Sequence, residues 1–148
     1  MTPQLRRTLR AYERKLLSGP RRRVLGSPSW DADVPNLAGV YVIWDRSVRV
    51  LVYVGETSDL RSRFRDLRRS INHTFTNKMR SYLGLGSRAT DQAVAVAMAA
   101  RFELAFVPVE FGRSEVEEYL VLRHRKSLIN KPALRLHRGN QYSWVAPA

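Results

Sequence analysis

Two short runs in this chain, Gly39-Val40-Tyr41 and Tyr53-Val54-Gly55, place a pair of tyrosines with eleven residues between them. Arg63 follows ten residues after Tyr53, and three acids, Glu115, Glu117 and Glu118, stand close together in the last third of the chain. These side chains have complementary chemistry. A tyrosine hydroxyl passes or orients a proton. A guanidinium matches phosphate oxygens with a planar fork. A carboxylate holds a hard divalent cation that keeps several of its own waters. Together they suit work on a phosphate ester, if one fold gathers them.

The three acids are not equivalent. Ser114 and Glu117 read as an S-x-x-E capping box, and Glu115 complements a helix N-terminus. Glu118 is left over. It leads into Tyr119-Leu120-Val121-Leu122, which is apolar on several sides, so it is expected to be buried. A buried carboxylate is costly unless it is paired or bound to a metal. The arginines are not equivalent either. A helix capped by Thr57 or Ser58 and running to about residue 71 has Leu60, Phe64, Leu67 and Ile71 as its apolar stripe. At ~100° per residue, Arg61 and Arg68 fall on one flank of that stripe, Arg63 on the other, and Arg65 and Arg69 further out. Arg63 is therefore set apart.

Other chemistry finds less support. His73, His124 and His137 are isolated, and the chain has no cysteine, so disulfides and thiolate metal sites are absent. Gly84 and Gly86 are too few for a phosphate loop. No serine triad is apparent.

The elements that must position these residues are legible in outline. Residues 3–17 read as a helix with Leu5, Leu9, Tyr12 and Leu16 on one side. Residues 18–35 read as a loop or arm. Residues 39–44 and 49–54 are β-branched and aromatic runs joined by a short polar turn, hence an antiparallel hairpin. A turn centred on Ser47 would set Tyr41 opposite Tyr53 on one face. Helices are expected over about 72–83 and 90–101, a third strand over 102–109 and a long helix over 114–129. The class is α/β (α+β). The expected division is a basic N-terminal helix and arm (1–35), a main domain (36–134) and a basic tail (135–148).

Charge narrows the partner. The formal net charge is +13, from 26 Lys and Arg against 13 Asp and Glu, with pI about 11.1. That balance favours a polyanion, nucleic acid above all. Residues 1–25 carry eight basic residues against Glu13 alone, and residues 119–148 carry six and no acid. Arg61, Arg65, Arg68, Lys78, Arg80 and Lys131 are the candidate phosphate contacts. No run approaches the ~20 apolar residues of a membrane helix, and residues 1–26 lack a signal-peptide core. No membrane partner and a cytoplasmic address are expected.

The Gly-Tyr and Tyr-Gly runs, with Arg63 ten residues after Tyr53, and Glu118 followed by Val121, Leu122 and Asn130, together resemble the signature of the GIY-YIG nuclease superfamily. The likeness spans about residues 36–132 and is nearest to the short standalone bacterial and phage members. It implies a three-stranded antiparallel sheet flanked by helices. It implies a metal-dependent endonuclease acting on DNA in a repair, restriction or mobile-element setting, with one Mg²⁺ or Mn²⁺. In that likeness Glu118 holds the metal, and Tyr41 helps generate the attacking water, as base or through a relay. Tyr53 positions water or phosphate, Arg63 meets charge on the phosphate, and Asn130 supports the edge of the site. The chain departs from the pattern at Glu56 and Thr57, at Leu67, where many members carry Tyr or His, and at Ser127, where Pro is common. His73 is the candidate to replace the missing proton carrier. Two alternatives stay open: a GIY-YIG-like module that binds nucleic acid without cutting, and a ribonuclease. The residues do not separate DNA from RNA, nor do they define an oligomeric state.

Overall fold

Helix α1 (Pro3–Ser18) begins where its cues place it. Pro3 occupies the first turn, and the Thr2 hydroxyl accepts the Leu5 amide at 3.2 Å. Leu9 and Leu16 of the expected stripe are buried, together with Glu13. The computed structural model describes residues 2–67 and 73–129, giving the backbone alone for residues 73 and 74. Among the described residues there follow β1 (Arg22–Arg23), β2 (Gly39–Asp45), β3 (Val50–Thr57), α2 (Leu60–Asp66), α3 (His73–Tyr82), α4 (Asp91–Arg101), β4 (Phe102–Pro108) and α5 (Arg113–His124). None of these helices is long and apolar enough to cross a membrane. The mixed α+β class is as expected.

The sheet is larger than the expected three strands. Its order is β1-β4-β2-β3, antiparallel throughout. The extra strand comes from the segment expected to be a loop. Two arginines carry no strand pattern, but the chain leaving α1 runs beside the open edge of β4. Arg22 and Arg23 pair with Leu104 and Glu103, and Val24 donates its amide to the Phe102 carbonyl at 3.1 Å. Edge pairing satisfies backbone groups whatever the side chains are.

Strand β2 lies in the centre, and all seven of its residues are buried. This explains its continuous apolar run, since both faces are covered. Side chains alternate between the faces. Tyr41 and Ile43 join Val52, Leu60, Phe64, Trp30, Met79, Met98 and Leu104 on one face. Val40, Val42 and Val54 meet Leu9 and Leu16 of α1 and Val116, Tyr119, Leu120 and Val121 of α5 on the other. The expected boundary near residue 36 thus crosses both cores: α1 belongs to one, and Val24, Trp30 and Val34 to the other.

Two polar networks lock this arrangement. Buried Glu13 of α1 accepts from Arg123 Nε at 2.9 Å, and His124 Nε2 lies 2.9 Å from the same oxygen. Burial pushes the Glu13 carboxyl up, but His124 and Arg123 outweigh it and hold the group below the usual carboxylate range. Asp45, fully buried at the end of β2, accepts from the Ser47 amide (2.9 Å), the Ser47 hydroxyl (2.6 Å) and the Tyr82 hydroxyl (2.6 Å), and it is ion-paired with Arg101. Burial opposes its charge, but the Arg101, Ser47 and Tyr82 bonds prevail and bring its pKa down to about 2. The same environment raises Tyr82 to about 12, through burial first and then its bond to Asp45.

The hairpin register differs from the expected one. Tyr41 pairs with Gly55 and Tyr53 with Ile43, and a bulge sits between Ile43 and Trp44. The turn carries Arg49 at φ 55°. Tyr41 and Tyr53 are therefore diagonal neighbours, not directly opposite. A two-residue offset leaves both on the same face, because the side-chain period is two.

Candidate active site

The site is built around the Tyr41 ring. Gly55 lies directly across the ladder from it, and a Cβ on Gly55 would stand 2.5 Å from the Tyr41 hydroxyl oxygen. Only a bare backbone lets the ring lie there. Gly39 has a similar cause. A Cβ there would come within 2.5 Å of the Val107 carbonyl and 2.6 Å of Leu60 Cδ1, so this glycine lets β4 and the first turn of α2 close on β2. The glycines and tyrosines of the two runs are thus parts of one packing arrangement.

Tyr41 is 2% exposed. Its ring meets Phe64 edge-on at 5.7 Å and tilts against Tyr53 at 6.2 Å. Phe75 holds the other side of Tyr53 at 5.1 Å, and Trp30 stacks on Phe64 at 5.4 Å. Such aromatic contacts fix ring orientation as well as burying area. Each tyrosine acts on the other: Tyr53 helps hold the Tyr41 proton, and Tyr41 eases loss of the Tyr53 proton. Burial is the largest influence on both and pushes both pKa values up. At neutral pH each is a phenol, able to donate and accept.

Arg63 comes to this pair on α2. The helix is capped by Asp59, whose carboxylate accepts the Ser62 amide at 3.2 Å. Thr57 and Ser58, the expected caps, precede it, and Thr57 Oγ1 instead accepts the Asp59 amide at 3.1 Å. The Leu60 amide bonds the Leu37 carbonyl at 2.9 Å, which ties the helix to the strand entering at Gly39. Phe64, packed on Tyr41, sets the rotation of α2. Arg63 is half-buried, and its charge lowers the pKa of both tyrosines. The flank that separated it from Arg61 on the helical wheel is the flank toward the site. Arg61 is half-buried and Arg65 exposed.

The opposing charge comes from Glu117 of α5, which raises the pKa of both tyrosines. The expected capping box does not form. The N-cap of α5 is Gly112 at φ 85°, two residues before Ser114, so Glu117 is not a capping partner. The spacing of a capping box thus conceals that the charge of Glu117 bears on the tyrosines. The only hint in the sequence was the Gly112-Arg113 pair, a plausible helix start ahead of Ser114. Arg113 bonds Glu56 at 2.6 Å and pins the start of α5 to the end of β3, which is the structural use of the glutamate that departs from the family pattern. Glu118 is buried, 4% exposed, as the sequence led us to expect. It lies one residue from Glu117 in a helix packed on β3 and β2.

The remaining candidates divide. Arg80 is committed inside the fold: it bonds Asp91 at 2.9 Å, the Ala89 carbonyl at 3.0 Å and Asn77 at 3.0 Å, tying α3 to α4. It is therefore a structural arginine and not an open phosphate contact. Lys78 is half-buried on the same helix. His73 opens α3, but its side chain lies outside the described residues, as do Arg68, Asn130 and Lys131.

No group of three His, Cys, Asp or Glu able to hold a metal occurs among the described residues. Glu118, with Glu117 beside it, offers hard oxygen donors only. That donor set fits an ion such as Mg²⁺, which binds through one or two carboxylates and takes its other ligands from water and phosphate. It does not fit a protein-enclosed zinc site, which needs several nitrogen or sulfur ligands. No protein-family model matches the chain, and no match is found among curated proteins.

Proposed function

We propose that the chain is a divalent-metal-dependent endonuclease of the GIY-YIG type that hydrolyses DNA phosphodiester bonds. One observation carries this reading. Two neighbouring tyrosines, their rings 6.2 Å apart, sit under the opposing influence of Arg63 and Glu117, in a fold whose α5 also buries Glu118. Tyr41, Tyr53 and Arg63, three of the residues that resemble the family signature, belong to this cluster, and Glu118 follows Glu117 in α5.

The chemistry follows from the environment. When bound at Glu118, a divalent ion supplies an acidified water and neutralises charge on the scissile phosphate. Tyr41, kept protonated by burial and by its neighbour Tyr53, acts as one link of a proton relay and not as a standing phenolate. Tyr53, beside it, passes a proton outward toward water or a phosphate oxygen. Arg63 places a planar donor fork where negative charge grows in the transition state. The high net charge serves approach and retention of the nucleic acid.

The test is incubation of supercoiled plasmid with Mg²⁺, with chelator, and with Glu118→Ala and Arg63→Ala proteins. Nicking that needs the metal and disappears in both variants supports the reading. Cutting that persists in chelator removes the metal role. A protein that shifts DNA with steep salt dependence yet leaves DNA and RNA intact with Mg²⁺ or Mn²⁺ is the binding module instead. Matched RNA substrates separate a deoxyribonuclease from a ribonuclease.

A further inference from the structure

Phe111 is 95% exposed. A solvated phenylalanine is an unusual use of so large an apolar ring, and this one sits at a particular place. The Val109 amide bonds the Ala38 carbonyl at 2.9 Å, one step beyond the Gly39–Pro108 pair, so the segments flanking β2 and β4 leave the sheet side by side. Leu37, on the neighbouring segment, is 53% exposed, and its carbonyl holds the first turn of the helix bearing Arg63. After Phe111 the chain turns at Gly112 and enters α5, where Glu117 and Glu118 follow within two turns. Phe111 therefore stands where the strand carrying Tyr41, the helix carrying Arg63 and the helix carrying the acids all begin.

The mount is firm. The Val109–Ala38 bond anchors one side of the tip, and the Arg113–Glu56 pair anchors the other at 2.6 Å. Gly112 at φ 85° takes the left-handed turn between them, where a β-carbon would be strained. The backbone that carries the ring is braced, so binding need not order the loop as well. The neighbouring charges define what it can meet. Glu110 and Glu115 are exposed beside it and would repel a phosphate at the tip itself. Arg61 and Arg63, on the helix tied to Leu37, attract phosphates nearby. An uncharged aromatic face attached to a phosphate chain satisfies both conditions.

We propose that Phe111 is a stacking tip that receives an unpaired nucleobase beside the reacting phosphate, so that the substrates are strands with an unstacked base: single strands, gaps, flaps or branches. The inference rests on the reading of the chain as a nuclease. It adds to that reading the structural class of the substrate.

The test measures binding, with chelator present, of a single-stranded, a gapped and a plain duplex oligonucleotide carrying 2-aminopurine, by wild type, Phe111→Ala, Phe111→Leu and Phe111→Trp proteins. Stacking predicts that Phe111→Ala and Phe111→Leu weaken the single-stranded and gapped complexes about tenfold, leave the duplex complex within about twofold, and abolish the quenching of 2-aminopurine. Phe111→Trp should retain both binding and quenching. Equal affinities in all four proteins would overturn the tip, as would a wild-type dimer that Phe111→Ala converts to monomer in sedimentation. Cleavage with Mg²⁺ is measured in parallel. If wild type cuts and Phe111 proves indifferent, the tip falls and the nuclease stands. If Phe111 governs binding but nothing is cut, the nuclease falls and the tip stands. If no oligonucleotide binds, both fall.

Discussion

Gly55 lies opposite Tyr41 in the central ladder, and the tyrosine ring fills the space where a β-carbon would be. The glycine of the second run therefore exists for the tyrosine of the first. Gly55→Ala should force the ring or β3 to shift. We expect a loss of about 1–3 kcal/mol in stability, as for overpacking of a core, and a loss of cleavage larger than the unfolding accounts for. Denaturant midpoints measured beside nicking rates under conditions where the variant is fully folded check both. An unshifted midpoint with normal activity would refute the close contact.

Arg63 and Glu117 act on the same two hydroxyls with opposite sign. Removing the cation should raise the tyrosine pKa values, and Glu117→Gln should lower them. Tyrosine-selective NMR titration reads the direction at Tyr53, since burial keeps Tyr41 protonated throughout the range in which the fold survives. On activity, Arg63→Ala should cost at least about 100-fold, the scale of a lost transition-state donor, while Arg63→Lys should recover only part because the planar fork is gone.

Glu118 and Glu117 are neighbours in α5 to which the proposed function gives different tasks. Glu118→Gln, nearly isosteric, should abolish metal-dependent cleavage and weaken Mn²⁺ binding measured by paramagnetic relaxation. Glu117→Gln should keep Mn²⁺ binding and lower cleavage less. The reverse order would move the metal ligand to Glu117.

Asp45 predicts the response to acid. Its pKa is about 2 in the fold against 3.8 in the open chain, so the carboxylate stabilises the fold fully above about pH 4. That contribution fades as pH falls through 3.8 toward 2. Asp45→Asn should cost about 1.5–3 kcal/mol at neutral pH, the range for hydrogen bonds to a charged group, and should flatten the stability profile in that acidic window. Urea midpoints measured across the window decide it.

Glu13 holds α1 against the end of α5. Its carboxyl is held below its ordinary 4.5, so its contribution too is present above that value and lost as pH falls. Glu13→Gln should lower stability by about 1–2 kcal/mol, since the Arg123 bond weakens but the packing of Leu9 and Leu16 remains. Amide exchange should then rise in both α1 and α5. Exchange confined to α1 would mean that the latch does not brace α5.

Local signals in the sequence were reliable where they depend on local physics. The helices expected over 3–17 and about 90–101 form close to those bounds, because helix starts are set by a few consecutive residues. The same cues failed at α5. Ser114 and Glu117 match a capping box in spacing, yet the helix starts at Gly112 because the Arg113–Glu56 pair and the Val109–Ala38 bond determine where β4 ends and α5 begins. The wheel that isolated Arg63 was sound, since helix rotation follows from the apolar stripe of Leu60 and Phe64. Arg80 could not be sorted from the other candidate phosphate contacts by sequence, because its partners Ala89 and Asp91 lie in the turn before α4 and at its start.

By itself the sequence determined the basic character of the chain, the hairpin with both tyrosines on one face, the separate position of Arg63 and the burial of Glu118. Each follows from composition or from a period of two or 3.6 residues. Only the tertiary structure decided the fourth strand, the two-residue offset of the hairpin and the place of Glu117 in the field of the tyrosines. A strand of two arginines exists only because β4 offers an edge. A two-residue slip leaves the alternation unchanged, so no pattern records it. The reach of a charge depends on distance through space, which the order of residues does not contain.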